Sequence, residues 1–209
     1  MVKKIILATG NQGKVRELRE ILGDNDIEIL SLRDFSEIGE IVEDGSTFEE
    51  NALKKAKTVA EAVGLTAVAD DSGLEVDFLE GAPGVYSARF AGTGNNDLEN
   101  NLKLLSLMKD VPDRQRTARF RCVIAVVTPS GETYTADGTC EGMIAREMSG
   151  DNGFGYDPLF FLPDYGKTFA QLEPEIKNRI SHRGKALARI ESVLAEVIER
   201  VEMEQCGLG

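Results

Sequence analysis

Lys4-Ile5-Ile6-Leu7-Ala8-Thr9-Gly10-Asn11-Gln12-Gly13-Lys14 is the stretch that decides the fold. An apolar run of strand length passes straight into a loop of small residues, after which Val15, Leu18, Ile21 and Leu22 fall at helical spacing. The order is strand, loop, helix, the opening of an α/β protein. Gly10 and Gly13 let the backbone come close to a ligand, the helix N-terminus offers unpaired N–H groups, and Lys14 adds a full positive charge at the same place. Together they form a phosphate cradle. It is not the Walker pattern, because the glycines stand three apart and neither Ser nor Thr follows the lysine. The same residues also suit a tight strand-to-helix turn with a solvated lysine.

Thr66-Ala67-Val68-Ala69 reads as a short buried strand ending in the loop Asp70-Asp71-Ser72-Gly73. Open α/β sheets bind ligands at the carboxyl ends of their strands, and adjacent carboxylates there suit a hard divalent cation such as Mg²⁺, with substrate phosphates completing its shell. The alternative is a turn in which one aspartate caps backbone N–H groups.

The 209 residues suffice for one large domain or two small lobes with a substantial core. Hydrophobic residues make up 42% and charged residues 29%, the balance of a soluble globular protein. A net charge of −12 argues against non-specific binding to nucleic acid or a membrane surface, both of which need a basic field. An anionic ligand must therefore be met by a local cluster: Lys14 with Arg16, Lys54 with Lys55 and Lys57, or Lys177 with Arg179, His182, Arg183 and Lys185. Cys122, Cys140 and Cys206 are three widely spaced cysteines beside a single histidine, which excludes a disulfide scaffold and argues against zinc. The apolar runs are too short for a signal peptide or a membrane span. A reduced, cytoplasmic protein is expected.

Further elements follow from periodicity. Ile27 to Leu30 reads as a strand, and Asp34 to Glu50 is an acidic stretch carrying Glu37, Glu40, Glu43, Asp44, Glu49 and Glu50. Ser46-Thr47-Phe48-Glu49 matches a capping box and starts a helix from about Thr47 to Val63 that buries Phe48, Ala52, Ala56, Val59 and Val63. Lys55 lies beside that stripe, either snorkelling or reaching into a cleft. Asn95 to Met108 reads as a helix with Leu98, Leu102 and Leu105 on one face. Arg119 to Val127 and Glu132 to Ala136 form a hairpin, followed by strands at Cys140 to Ala145 and Leu159 to Leu162. Between the last two lies Ser149 to Pro158, a glycine-rich loop whose Phe154 and Tyr156 either face a planar ligand or pack into the core. A final helix from Ser181 to Glu204 buries Leu187, Ile190, Leu194, Val197 and Val201. Its first turn carries His182, Arg183 and Lys185, although a helix N-terminus favours anions. That inversion implies a compensating anion or electron-rich ligand, or else a plainly exposed basic turn.

Five segments in order carry a resemblance: ATGNQGKVREL (8–18), TFEENALKKA (47–56), ADDSGLEVDFLEGAPGVYSARFAG (69–92), GFGYDPLF (153–160) and ISHRGKAL (180–187). They resemble the inosine/xanthosine triphosphate pyrophosphatase family, house-cleaning enzymes that hydrolyse non-standard purine nucleoside triphosphates such as ITP, dITP and XTP. The resemblance covers nearly the whole chain. It implies a single pyrophosphatase domain over residues 1–209: an α/β fold with an elongated mixed β-sheet flanked by helices, in two lobes with a central substrate cleft and no linker, usually a homodimer. It also implies Mg²⁺-dependent hydrolysis between the α and β phosphates, giving a nucleoside monophosphate and pyrophosphate.

Carried over motif by motif, Thr9, Gly10, Asn11, Gln12, Gly13 and Lys14 would cradle the triphosphate with Lys55. Asp71 would be general base and metal ligand, Asp70 and Glu43 would complete the metal shell, and Ser72 would contact substrate. Phe154, Gly155, Tyr156, Asp157, Lys177, His182 and Arg183 would form the base pocket. The residues themselves agree in offering lysines, a carboxylate pair and no credible nucleophile, since phosphoryl transfer needs positioning and charge neutralisation more than covalent chemistry. Two rivals remain: a house-cleaning pyrophosphatase for modified pyrimidine nucleotides, against which the SHR and GFGYD segments speak, and a nucleotide-binding module without turnover.

Overall fold

A computed structural model describes residues 3–22, 27–35, 38–39, 41–92 and 96–205. Strand β1 (Lys3–Leu7) buries Ile5, Ile6 and Leu7 completely. Three consecutive buried residues require cover on both faces, as in the interior of a parallel sheet. β1 pairs in parallel with β2 (Ile27–Ser31) and with β3 (Thr66–Val76), Ile5 opposite Ile29 on one side and Thr66 on the other. Parallel neighbours need crossover connections, and helices α1 (Gln12–Leu22) and α2 (Phe48–Val63) lie in them.

The N-terminus of α2 is the predicted capping box shifted by one residue: Thr47 is the cap, its hydroxyl accepting from the Glu50 N–H at 3.1 Å while the Glu50 carboxylate accepts from Thr47 and Ser46. Phe48, Asn51, Ala52, Lys55, Ala56, Val59 and Ala60 form its buried face.

The sheet is mixed and seven-stranded, in the order β2-β1-β3-β4-β5-β6-β7, with β4 at Thr117–Val127, β5 at Thr133–Ile144, β6 at Phe160–Leu162 and β7 at Lys167–Thr168. β6 pairs antiparallel with both β5 and β7. The strands expected at Glu132 to Ala136 and Cys140 to Ala145 are thus one strand, continuous through Asp137 and Gly138.

The chain divides into two compact units. The first contains the described residues up to Asp71, Val123–Asp137 and those from Arg183 onward; the second contains Ser72–Cys122 and Gly138–His182. Helix α5 (His182–Gln205) buries Leu187, Ile190, Leu194 and Val197 as expected, while the side chain of Val201 and the whole of Cys206 lie outside the described part. Cys122 and Cys140 are both buried. The second unit is built on Leu74, Leu104, Met108, Phe120, Phe160 and Phe169, with Phe120 stacked parallel to Phe169 at 5.7 Å.

On helix α3 (Asp97–Leu107) the leucine face is not the buried one: Leu98 and Leu102 are exposed, and the buried residues are Asn100, Asn101 and Leu104; Asn95 lies outside the described residues. Both asparagines spend their amides on backbone. Asn100 accepts from the Ala91 N–H at 2.7 Å and donates to Ala88 O at 3.0 Å, so hydrogen bonding to the preceding 3-10 segment (Gly84–Arg89) and its sequel turns the helix away from the leucine stripe. Among the described residues no helix is long and apolar enough to cross a membrane.

Candidate active site

The loop from β1 to α1 is organised by its own side chains. Thr9 Oγ1 accepts from the Asn11 N–H at 3.2 Å, and Asn11 Oδ1 accepts from the Gly13 and Lys14 N–H groups at 2.9 and 3.3 Å. Asparagine is among the best helix caps, so two donors that the sequence reading left open to a phosphate are held by Asn11. At Gly10 a Cβ would meet nothing within 4 Å. The lysine is not solvated: Lys14 Nζ lies 3.1 Å from the Asp70 carboxylate and is mostly covered.

Asp70 and Asp71 sit inside β3 rather than in a loop after it. Aspartates are poor strand residues, and here tertiary charge overrides propensity. Successive strand residues face opposite ways, so the two carboxylates enter separate networks. Asp70, fully buried, accepts from Arg183 Nε and Nη2 at 3.2 and 2.9 Å, and Arg183 Nη1 donates to the buried Glu17 of α1. Burial pushes the Asp70 carboxyl up, but Lys14, Arg183 and Lys55 outweigh it and hold it well below the usual carboxylate range. Asp71 accepts from Lys55 Nζ at 3.0 Å and from Asn51 Nδ2 at 3.2 Å. Its pKa is raised, because burial, helped by the negative charge of Glu43, outweighs Lys55 and Lys14.

Lys55 does not snorkel. Its ammonium is buried between Glu43 Oε1 at 2.6 Å, the Asp70 carbonyl at 2.8 Å and Asp71 Oδ1. Burial lowers its pKa, yet Asp71, Asp70 and Glu43 together raise it above the ordinary lysine value. Asn51 ties this cluster to the preceding loop, its Oδ1 accepting from the Gly45 N–H at 2.8 Å. Within the acidic stretch, Glu43 faces the cluster and Glu50 is engaged in the helix cap.

Among the described residues no three His, Cys, Asp or Glu side chains gather as a metal site. Glu43 and Asp71 nonetheless converge on one cationic centre, the Lys55 ammonium, so this pair suits a hard cation whose other ligands come from phosphates and water. The Asp70 carboxylate is directed to Lys14 and Arg183 instead. Ser72, half-buried, follows Asp71 in the same strand.

The second unit holds a cluster of another kind. In the loop before β6, Asp157 Oδ2 accepts from the Phe154 N–H at 2.9 Å and from Lys177 Nζ at 2.6 Å. Lys177, on α4 (Pro174–Ile180), lies 5.1 Å from the centre of the Phe154 ring and 5.7 Å from that of Phe169, distances that suit cation–π attraction. Gly153 has φ +79°, and a Cβ there would stand 2.0 Å from Asp157 Oδ2, so only glycine fits this bend. His182 stacks on Phe120 at 4.7 Å with its ring nearly parallel.

Gly155 is gripped from α3: its N–H donates to Asp97 Oδ2 at 2.8 Å, and its carbonyl accepts from Asn101 Nδ2 at 2.8 Å. Tyr156 is buried and donates to Ser87 O at 2.8 Å; burial and the nearby Asp97 raise its pKa.

Thr9, Lys14, Glu43, Lys55, Asp70, Asp71 and Arg183 therefore belong to the first unit, and Phe154 to Asp157, Lys177 and His182 to the second. Arg183 is directed to Glu17 and Asp70. Sequence reasoning missed Glu17, Asn51, Asp97 and Asn101. Asn51 did carry a signal, being a polar residue three positions after Phe48 on an apolar stripe.

The family model described as the Ham1 family matches residues 5–193. A dITP/XTP pyrophosphatase from Desulforamulus reducens is 57% identical to this chain, the match covering 91% of this chain and 95% of that protein. A dITP/XTP pyrophosphatase from Listeria monocytogenes is 54% identical, with 96% and 98% covered. The solved structure of a HAM1 protein from Coxiella burnetii superposes with a TM-score of 0.83 at 45% identity, over 92% of this chain and 98% of that one.

Proposed function

The chain belongs to the Ham1 family, and from that premise we propose that it hydrolyses non-standard purine nucleoside triphosphates (ITP, dITP, XTP) to the nucleoside monophosphate and pyrophosphate. The observation that carries the reading is the set Lys14, Lys55, Asp71 and Glu43, two cations and two carboxylates gathered in the first unit, with Lys55 and Asp71 buried and Lys14 and Glu43 partly so.

In this reading Lys14 and Lys55 neutralise the triphosphate while the loop Thr9 to Gly13 lets it approach the backbone. Asp71 takes the proton of the attacking water, a role suited to a carboxyl whose pKa is raised. Glu43 and Asp71 hold Mg²⁺, which when bound offsets phosphate charge. Asp70 acts one step back, fixing Lys14 and Arg183. Ser72 contacts substrate beside Asp71.

The base is recognised by the second unit's cluster. Hypoxanthine and xanthine present an acceptor oxygen at position 6, where adenine presents an amino donor. Lys177 has only donors to offer, so it accepts the former and confronts the latter, and the Phe154 ring supplies a stacking face. A donor left unpaired costs ~1–3 kcal/mol, roughly 5- to 150-fold. The protein acts as a homodimer in the cytoplasm.

The test is kcat/KM for ITP, dITP, XTP, ATP, GTP and a modified pyrimidine triphosphate, with Mg²⁺ and with EDTA. The reading requires preference for the first three and loss of turnover in EDTA. Preference for the pyrimidine, or tight binding without turnover, replaces it with one of the rivals.

A further inference from the structure

The grip on Gly155 uses two side chains to which the proposed reaction gives no role. Asp97 and Asn101 stand one turn apart on α3, and between them they take both hydrogen-bonding groups of one residue in the loop that carries Phe154 and Asp157. Asn101 is buried, and its Nδ2 donates to the Asp97 carbonyl at 2.7 Å as well as to Gly155 O at 2.8 Å. Two carbonyl partners fix the orientation of the amide, since its oxygen could accept from neither. Asn101 Oδ1 is then buried without a hydrogen-bond partner.

An amide retained at that cost, on a helix whose own ladder does not need it, is there for its donors. Gly155 has φ +62°, a conformation with many alternatives for glycine, so the local chain does not hold it by itself. One residue before it is the Phe154 ring that faces Lys177, and two residues after it is the Asp157 carboxylate that binds Lys177.

We propose that Asp97 and Asn101 are specificity-determining positioning residues: by clamping the Gly155 peptide they set Phe154 and Asp157 against Lys177, and so fix the geometry in which the purine base is read. The inference rests on the proposed function, which gives that loop the base. Neither side chain touches substrate, and the triphosphate is handled by other residues. The clamp therefore governs affinity for the base and not the rate of bond cleavage.

The test compares Asp97→Ala, Asp97→Asn and Asn101→Ala for KM and kcat with ITP, together with competitive inhibition by inorganic triphosphate, a probe that has no base. Asp97→Asn keeps an acceptor for the Gly155 N–H and drops only the charge, so it separates the clamp from any helix-end effect. One lost hydrogen bond should raise KM for ITP about 3- to 10-fold in Asp97→Ala, and two bonds with a buried gap should raise it about 10- to 100-fold in Asn101→Ala. kcat and inhibition by triphosphate should stay within about twofold of wild type, the scale of a few tenths of a kcal/mol, and Asp97→Asn should restore most of KM. Asp97 is exposed, so its variants report even where Asn101→Ala folds poorly.

An unchanged KM in Asp97→Ala, or a parallel loss of triphosphate binding, overturns the clamp while leaving the function intact. Failure of the wild-type protein to release pyrophosphate from ITP overturns the function and the clamp together.

Discussion

The two clusters hold their buried cations in opposite ways. In the first unit Lys14, Lys55 and Arg183 face four carboxylates, Glu17, Glu43, Asp70 and Asp71, drawn from segments far apart in the chain. In the second unit one ammonium, Lys177, meets the Asp157 carboxylate and two aromatic rings, and its loop is held by side-chain hydrogen bonds from Asp97 and Asn101 to the Gly155 backbone. A network of like and unlike charges is at its best only when all partners are present, because any unpaired buried charge is costly. The first arrangement suits chemistry on a highly charged triphosphate, and the second suits discrimination among neutral bases.

The largest effect should come from Asp71→Asn. Loss of the proposed general base should lower kcat by ~10²–10⁴. The folded pKa of Asp71 is raised, so its ionisation opposes folding once pH exceeds the ordinary carboxyl value, and the variant should be at least as resistant to urea as wild type at pH 7. Near-normal turnover by the folded variant would remove Asp71 from the chemistry.

Next comes Arg183→Ala, which strands Asp70 and Glu17 and should cost about 3–5 kcal/mol of stability, the scale for breaking a buried ion pair. Its urea midpoint should fall while the ITP/ATP preference of the surviving folded protein is kept. A stable variant with altered preference would return Arg183 to the base pocket.

The same network gives a pH signature. The folded pKa of Asp70 is depressed, so its contribution is complete above the ordinary carboxyl value and is lost as pH falls below it. Wild type should lose more stability between pH 6 and about pH 3 than Asp70→Asn, a difference that urea titrations at each pH would reveal.

Lys177→Met should act more gently, raising KM for ITP about tenfold, the scale of one hydrogen bond to a charged group, with inhibition by inorganic triphosphate unchanged. Smallest of all should be Arg119→Ala on the surface, where Asp77 and Glu141 are solvated partners. It should cost less than ~1 kcal/mol.

Much of the fold can be read from local pattern. β1, α1 and the cap of α2 follow from runs, spacing and side-chain chemistry that a few adjacent residues contain. The Asp70-Asp71-Ser72-Gly73 composition reads as a turn because the cations that make it a strand come from positions 14, 55 and 183. α3 misled for a related reason: its leucine stripe has helical spacing, but Asn100 and Asn101 find backbone partners at Ala88, Ala91 and Gly155 and turn that face inward. The motifs placed most candidate residues in one of two clusters. They could not show that Arg183, adjacent to His182, points its guanidinium to Glu17 and Asp70, because that depends on which way two neighbouring side chains leave one helix.

The most direct measurement is the phosphorus-31 spectrum of ITP turned over by the wild-type protein with Mg²⁺. Attack between the α and β phosphates requires resonances of IMP and inorganic pyrophosphate in equal amounts from the first turnovers. Appearance of IDP with orthophosphate would place the cleavage at the wrong bond and contradict the account.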